Sequence, residues 1–260
     1  MPEGDTILRA ANRIRPVLEG TVPDEILAPQ PRHARDRWPE RLRGRAVTKV
    51  DTHGKHLFLR FEGDLVLHSH LRMTGAWAVY RHGARWRRAP RRAWLVLRAR
   101  GHEVVEFDGP VLELMTAGRT RFDQRLAALG PDVLAEPAFD AAGFLKRLRA
   151  DDPTRGIGDA LLDQRIVAGL GNIWKAEGCW GASIDPWRHV RDVSDEEALA
   201  VIADARLRML VAVERSRPDP TERRVYDRAG RPCPRCGTRI EARGQGDDNR
   251  TTFWCPGCQR

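Results

Sequence analysis

Two residues at the start of the chain, Pro2 and Glu3 of Met1-Pro2-Glu3-Gly4, are of types that can do covalent chemistry. Removal of Met1 leaves the Pro2 nitrogen as a secondary amine with no other bond to the chain. A free α-amino group titrates near about 8, so a useful fraction is neutral at pH 7. A neutral amine attacks an electrophilic carbon and forms an iminium adduct. Glu3, the next residue, is placed to handle protons in such a step. Chains also begin Met-Pro-Glu with no such role, so the rest of the sequence must carry the assignment.

A second set of residues points to a metal. Cys233-Pro234-Arg235-Cys236 and Cys255-Pro256-Gly257-Cys258 form two Cys-x2-Cys pairs separated by eighteen residues. In a reducing cytosol this spacing indicates metal rather than disulfides, and it matches the four-cysteine structural zinc pattern. Two knuckles joined by two strands make a small finger that needs its metal to fold. Four thiolates leave no open position for water, so one structural Zn2+ per chain is expected. Arg239, Arg243 and Arg250 lie on the connecting hairpin, with Arg250 just before its returning strand. The fifth cysteine, Cys179, reads as a buried helix residue with no chemistry.

Three further positions carry competing readings. Lys55, in His53-Gly54-Lys55-His56, sits in a strand turn; such a lysine is usually solvated and matters only if it faces Pro2. Gly169 and Gly171 permit a tight connection between two helices, and Asn172 is placed to N-cap the second. The backbone N–H groups there can grip a phosphate, or the segment is simply a helical hairpin with a well-made turn. Met73 beside Arg72 is either a core methionine or a wedge for a base stack, which needs the same shape and polarity.

The elements that must position these residues divide the chain. Residues 5–18 carry Ile7, Leu8, Ala11 and Ile14 on one apolar stripe, a helix ending near Pro16 and capped by Asp5 or Gly4. It would fix Pro2 and Glu3 just outside its positive end. From about 20 to 115 short apolar runs follow: a hairpin around residues 53–55, then LVLHSHL, AWAVY, AWLVLRA and EVVEF. This spacing predicts an antiparallel sandwich or barrel. Residues 81–92 carry six arginines in a turn between strands, read as a solvated hairpin tip in preference to a DNA contact. A helix over about 139–149 follows a Gly/Pro boundary. GDALLDQRIV, NIWKAEGCW and the segment from Ser194 continue the helical pattern, the last with a Ser194/Glu197 capping box. The fold class is therefore multidomain α+β: residues 1–131 a β-sandwich with the first helix, 132–225 a helical domain, 226–260 the zinc finger.

Composition sets limits on function. Lys plus Arg total 45 against 36 acidic residues, a net charge of +9 that favours polyanionic partners. Most of the excess is arginine, whose fork suits phosphate. No apolar stretch of about eighteen residues exists, so no membrane span is expected, and the polar start argues against a secretory signal. A cytoplasmic protein is expected.

Taken in order, MPEGDT (1–6), HGKHLFL (53–59), LGPDVL (129–134), ALLDQRIVAGLGNIWKAE (160–177), VYDRAGRPCPRCGTRI (225–240) and RTTFWCPGCQ (250–259) resemble the Fpg/Nei family of DNA glycosylase–AP lyases. The matches span essentially the whole chain, and the similarity is greatest to actinobacterial endonuclease VIII (Nei)-type members. The resemblance implies a monomer with a β-sandwich lobe and a helix-two-turn-helix lobe with zinc finger, acting on damaged DNA without catalytic metal. It places the nucleophile on Pro2 and the sugar-opening acid on Glu3. Lys55 becomes the phosphate-binding lysine that assists elimination. Asn172 holds phosphate, and Arg250 binds phosphates and is linked to δ-elimination. Met73 becomes the void-filling wedge, with Arg72 beside it on the DNA.

The opening EGDT, TAGR at 116–119 and a short, charged stretch at 214–225 favour oxidised pyrimidines as substrates. Arg72-Met73-Thr74 departs from the polar–Leu–Tyr trio of the best-known Nei enzymes, which puts the void-filling mode in question. The alternatives are an oxidised-purine glycosylase of the same family and a non-catalytic DNA-binding protein on this fold.

Overall fold

The computed structural model describes residues 2–215 and 220–260. Met1, whose removal the Pro2 chemistry requires, and residues 216–219 of the charged 214–225 stretch lie outside the described residues. The chain divides into two compact units. One comprises Pro2 with Thr6–Ala127; the other comprises Glu3–Asp5 with Ala128–Arg260.

The first unit is a two-sheet sandwich with a helix along it. Helix α1 (Gly4–Leu18) buries Ile7, Ala11, Ile14 and Leu18, which recur at helical spacing. The helix starts at Gly4, so Gly4 and Asp5 lie within its first turn rather than capping it. It also runs past Pro16. A proline this close to the end removes one hydrogen bond, while burial of Val17 and Leu18 and the Glu19 N–H bond to the Arg15 carbonyl hold the last turn.

The strands are β1 (Glu25–Leu27), β2 (Val47–His53), β3 (His56–Phe61), β4 (Leu65–His70), β5 (Ala76–Arg81), β6 (Ala93–Ala99), β7 (His102–Phe107) and β8 (Val111–Thr116). Short helices α2 (Pro31–Arg35), α3 (Trp38–Leu42), α4 (Ala117–Phe122) and α5 (Gln124–Ala127) were not anticipated from periodicity. One sheet has the order β2-β3-β4-β8 and the other β1-β6-β7-β5. Inward residues of both sheets meet α1 in one core: Leu57, Leu59 and Leu67 from the first, Leu95, Leu97 and Val104 from the second. Strands β5 and β6 are not neighbours, because β7 lies between them. Residues 81–92 therefore form a crossover connection and not a hairpin tip.

The second unit is helical with a small hairpin. Helix α6 (Ala141–Arg149) is capped by Asp140, whose carboxylate accepts the Gly143 N–H at 2.8 Å. Helix α7 (Ile157–Ala160) is a single turn, far shorter than the GDALLDQRIV pattern predicts. Beyond it the polar side chains compete for the backbone. Asp163 accepts the Arg165 N–H at 2.9 Å, and Gln164 Nε2 donates to the carbonyls of Leu162 and Leu170, both at 2.9 Å. Helix α8 (Asn172–Gly181) packs closely on α9 (Asp195–Glu214) at Gly178, where a β-carbon would lie 2.8 Å from the Val201 carbonyl oxygen. The expected Ser194/Glu197 capping box starts α9. Strands β9 (Glu241–Gln245) and β10 (Arg250–Trp254) pair antiparallel, with Arg250 opposite Gln245. Among the described residues no helix is long and apolar enough to cross a membrane.

Candidate active site

Glu3 is held by the start of helix α8. The cap residue, Gly171, is extended and has no side chain to satisfy the first amides. Glu3 takes that place from 170 residues away: Oε1 accepts the Ile173 N–H at 2.9 Å and Oε2 the Trp174 N–H at 3.3 Å. The carboxylate sits where unpaired N–H groups and the helix dipole both favour negative charge. It is 1% exposed. The fit depends on glycine, since a β-carbon at Gly171 would fall 2.3 Å from Glu3 Cδ. The neighbouring backbone is fastened as well. Gly4 N–H donates to the Gly169 carbonyl at 2.9 Å, and Trp174 Nε1 donates to Asp5 Oδ1 at 3.0 Å.

Two expectations change here. Asn172 is the first helical residue and not the cap; its Nδ2 instead donates to the Thr251 carbonyl on β10 at 2.7 Å. The Ile173 and Trp174 amides, read as phosphate donors, are engaged by Glu3. Asn172 is buried, and its Oδ1 has no hydrogen-bond partner among the described residues.

The hairpin that carries Arg250 is pinned from beneath by a residue the sequence reading missed. Lys175, 0% exposed, donates from Nζ to Thr252 Oγ1 at 2.6 Å. The Thr252 hydroxyl donates on to Gln245 Oε1 at 2.8 Å, and Gln245 Nε2 donates to the Pro186 carbonyl at 2.7 Å. Burial, aided by the nearby Arg250 charge, lowers the Lys175 pKa to about 8. Glu177, also buried, accepts the backbone N–H groups of Arg224, Val225 and Tyr226 at 2.9–3.0 Å and fastens that segment to α8. Helical spacing shows Lys175 and Glu177 as ordinary residues; only their burial reveals the role.

In the first unit, Gly54 (φ 58°) and Lys55 make the turn that joins β2 to β3, closed by the His53–His56 pair. His56 in turn pairs with His70 of β4, so the Lys55 turn and the loop after His70 share one end of the sheet. A histidine array lies between them. His68 Nδ1 meets Glu113 Oε2 at 3.3 Å, and His68 Nε2 meets His56 Nδ1 at 2.8 Å. Burial, with the charges of neighbouring histidines, lowers His56 to about 2, and burial with Arg72 and Lys55 lowers His70 to about 4. Both rings are neutral at pH 7. Glu113, His68 and His56 thus form a continuous hydrogen-bonded chain across β8, β4 and β3.

The loop after His70 presents Met73, which is 65% exposed. That removes the core-methionine alternative. Arg72, also exposed, takes the left-handed conformation (φ 46°) and donates its N–H to His70 Nδ1 at 3.2 Å. Residues 81–92 are only partly solvated. Trp86 Nε1 donates to Glu103 at 2.7 Å, and Arg88 and Arg92 both bind Asp108. The structure thus divides the sequence-derived site residues: Glu3, Asn172 and Arg250 belong to the second unit, and Pro2, Lys55, Arg72 and Met73 to the first.

Residues 1–124 match the model of the formamidopyrimidine-DNA glycosylase N-terminal domain, and residues 129–220 match that of the formamidopyrimidine-DNA glycosylase H2TH domain. The chain belongs to the formamidopyrimidine-DNA glycosylase family. A probable endonuclease 8 2 of Streptomyces coelicolor is 40% identical, the match covering 100% of this chain and 94% of the relative. The DNA-(apurinic or apyrimidinic site) lyase Nei2 of Mycolicibacterium smegmatis is 37% identical over 100% of this chain and 99% of its own. The crystal structure of Lactococcus lactis formamidopyrimidine-DNA glycosylase matches the fold with a TM-score of 0.83 at 24% identity, covering 100% of both chains. In that structure the glycosylase is non-covalently bound to DNA containing an abasic site.

Within this family fold the four finger cysteines converge. The Sγ atoms of Cys233, Cys236, Cys255 and Cys258 all lie within 4.8 Å of one another, with Cys233–Cys258 at 3.8 Å and Cys236–Cys255 at 3.4 Å. A tetrahedral thiolate site with bonds of about 2.3 Å spaces its sulfurs by about 3.8 Å, so the donor set fits one metal ion. Trp180 Nε1 and the Arg235 N–H donate to the Cys233 sulfur at 3.3 and 3.4 Å, which favours the thiolate that a metal requires.

Proposed function

We propose that this chain excises oxidised bases, pyrimidines in preference, through a Schiff base on Pro2, as a member of the DNA glycosylase/AP lyases of base excision repair. The observation that carries the reading is the Glu3 carboxylate seated on the α8 amides, one peptide bond from Pro2. That seat fixes an acid–base group beside an amine nucleophile.

In the proposed reaction Glu3 takes the proton from the Pro2 ammonium, and the freed nitrogen attacks C1′ of the deoxyribose. The glycosidic bond breaks, and the base leaves carrying the second proton of the now attached Pro2 nitrogen. Glu3 returns its proton to the ring oxygen as the sugar opens, giving the iminium. The iminium acidifies the C2′ hydrogens; loss of one expels the 3′-phosphate, and a second elimination expels the 5′-phosphate. Lys55 binds phosphate and assists elimination. Asn172 and Arg250 pin the phosphates flanking the lesion, and Met73, with Arg72 beside it, fills the space the base vacates.

Zn2+, one per chain, is the metal proposed for the cysteine cluster; held by four thiolates it orders the finger. The working unit is read as a cytoplasmic monomer on damaged DNA, built from a 1–131 sandwich, a 132–225 helical part and a 226–260 finger. Borohydride trapping on abasic-site duplex DNA tests the lyase. Met1-processed protein is expected to give a covalent adduct that Pro2→Gly and Glu3→Gln lose. A folded, processed protein that gives none contradicts the reading. Cleavage of thymine glycol, 5-hydroxyuracil and 8-oxoguanine oligonucleotides ranks the substrates, and a preference for 8-oxoguanine opposite cytosine overturns the pyrimidine assignment.

A further inference from the structure

The Leu71–Gly75 loop is short, exposed and tied at three points. Gly75 N–H closes it on the Leu71 carbonyl at 2.9 Å. The Arg72 N–H is taken by His70. At Thr74 a third tie involves the crossover connection: Arg88 Nη1 donates to the Thr74 carbonyl at 2.9 Å and to Asp108 Oδ2 at 2.8 Å. Asp108 is itself fixed. Arg92 Nε donates to Asp108 Oδ1 at 3.0 Å, and the Asp108 N–H reaches the Arg92 carbonyl at 3.0 Å. Thr74 Oγ1 donates to the Asp108 carbonyl at 3.3 Å. Arg88, Asp108 and Thr74 thus form a closed ring of bonds behind Met73, with Arg92 locking Asp108.

We propose that the Arg88–Asp108 clamp holds the Met73 loop as a preformed wedge, so that Arg88 is a positioning residue for insertion into damaged duplex DNA. The proposal rests on the reading of Met73 as the group that fills the vacated space. Two features of this sequence acquire one explanation: the arginine-rich 81–92 connection and the unusual Arg72-Met73-Thr74 trio. Thr74 has no ring to stack, so the loop has a single apolar tip, and that tip works only if it is aimed. A loop ordered before binding does not lose its conformational entropy on DNA, and a wedge already pointing outward unstacks bases more effectively. Arg88 Nη1 commits its N–H groups to Thr74 and Asp108. Arg81, Arg85, Arg87 and Arg91 are exposed arginines of the same connection.

The wedge matters where an opposing strand leaves a void, and not on single-stranded DNA. The informative quantity is therefore the ratio of single-turnover cleavage rates on one abasic sequence, duplex over single strand. It is read alongside fluorescence of a 2-aminopurine placed opposite the lesion. Arg88→Ala is expected to lower the ratio about tenfold and to reduce the 2-aminopurine signal, as Met73→Ala does. Arg88→Lys, which keeps one donor, is expected to recover part of both, Asp108→Asn to lower both, and Arg87→Ala to leave the ratio at the wild-type value. Should Arg88→Ala fold poorly, Arg88→Lys and Asp108→Asn decide. Wild-type ratio and fluorescence in the clamp variants, with both lowered in Met73→Ala, overturn the clamp alone. No change in Met73→Ala removes the wedge and the clamp with it. Absence of abasic-site cleavage in the wild-type protein marks failure of the lyase reading itself.

Discussion

Glu3 and Met73 are held by opposite means. Glu3 is buried, and its carboxylate is seated by backbone amides and a glycine whose missing side chain makes the room. Met73 stands in solvent at the tip of a loop held by side chains, chiefly Arg88, Asp108 and His70. Backbone amides on a helix are lost only to proline and move little, which suits a group that must meet a reacting atom. Side-chain ties can be exchanged without refolding the site, which suits a contact made at the surface. The first arrangement should be all-or-none when disturbed, the second graded.

The sharpest break is expected at Gly171. In Gly171→Ala the new methyl collides with the end of the Glu3 side chain and not with backbone, so the fold should survive while Glu3 leaves its seat. Trapping and cleavage are expected to fall by more than about 100-fold, roughly 3 kcal/mol of barrier, with little change in melting temperature. Near-normal activity in this variant would mean that the seat does not fix a catalytic group.

Removal of the metal proposed for the finger should come next. Chelation, or Cys255→Ser, is expected to unfold the β9–β10 hairpin and release Arg250. Duplex affinity should drop by tens-fold, and hydrogen exchange across 241–254 should rise. A smaller effect is expected at Lys175→Met, which keeps the volume but cuts the tie to Thr252. The apolar side chain avoids the cost of burying an ammonium, and the Thr252 hydroxyl keeps its bond to Gln245, so stability should change little. KM should rise about three- to tenfold with kcat little changed, and a loss confined to kcat would argue against a role in placing Arg250.

The smallest expected effect concerns pH beneath the Met73 clamp. Glu106 is fully buried, and burial with the adjacent Asp108 charge raises its pKa to about 8 from 4.5. Between these values the unfolded chain has lost a proton that the folded one keeps, so stability falls as pH rises from about 4.5 to about 8. Glu106→Gln removes that dependence, and its melting temperature should exceed wild type by a few degrees at pH 9 but not at pH 5. His56 acts in the other direction. Its folded value of about 2 lies below the ordinary 6.5, so stability is full above 6.5 and declines as pH falls toward 2.

Legibility in the sequence followed the range of the interactions. The inward alternation of Leu57, Leu59, Leu95 and Leu97 is local, and β2–β7 could be read from it. Strand β1, with three residues, is too short to show a period, and β6 and β7 mask the fact that the chain crosses over to reach them from β5. The GDALLDQRIV segment has helical spacing, yet Asp163 and Gln164 turn the chain by binding its backbone. The four-cysteine cluster was legible because cysteines at this fixed spacing admit few other uses. Asn172 was misread as a cap because the true acceptor, Glu3, comes from the far end of the chain. The Arg88–Asp108 clamp and the Lys175–Thr252 tie have the same origin: each joins residues remote in sequence and common in type.

The central claim is that Pro2 is the nucleophile and Glu3 its proton partner. It is tested most directly by locating the adduct. Met1-processed protein trapped with borohydride on abasic-site DNA, then digested and mapped by mass spectrometry, is predicted to carry the sugar on the Pro2 nitrogen and on no lysine, with Glu3→Gln giving little adduct. A sugar found on Lys55 or another lysine, or a full yield from Pro2→Gly, would contradict the account.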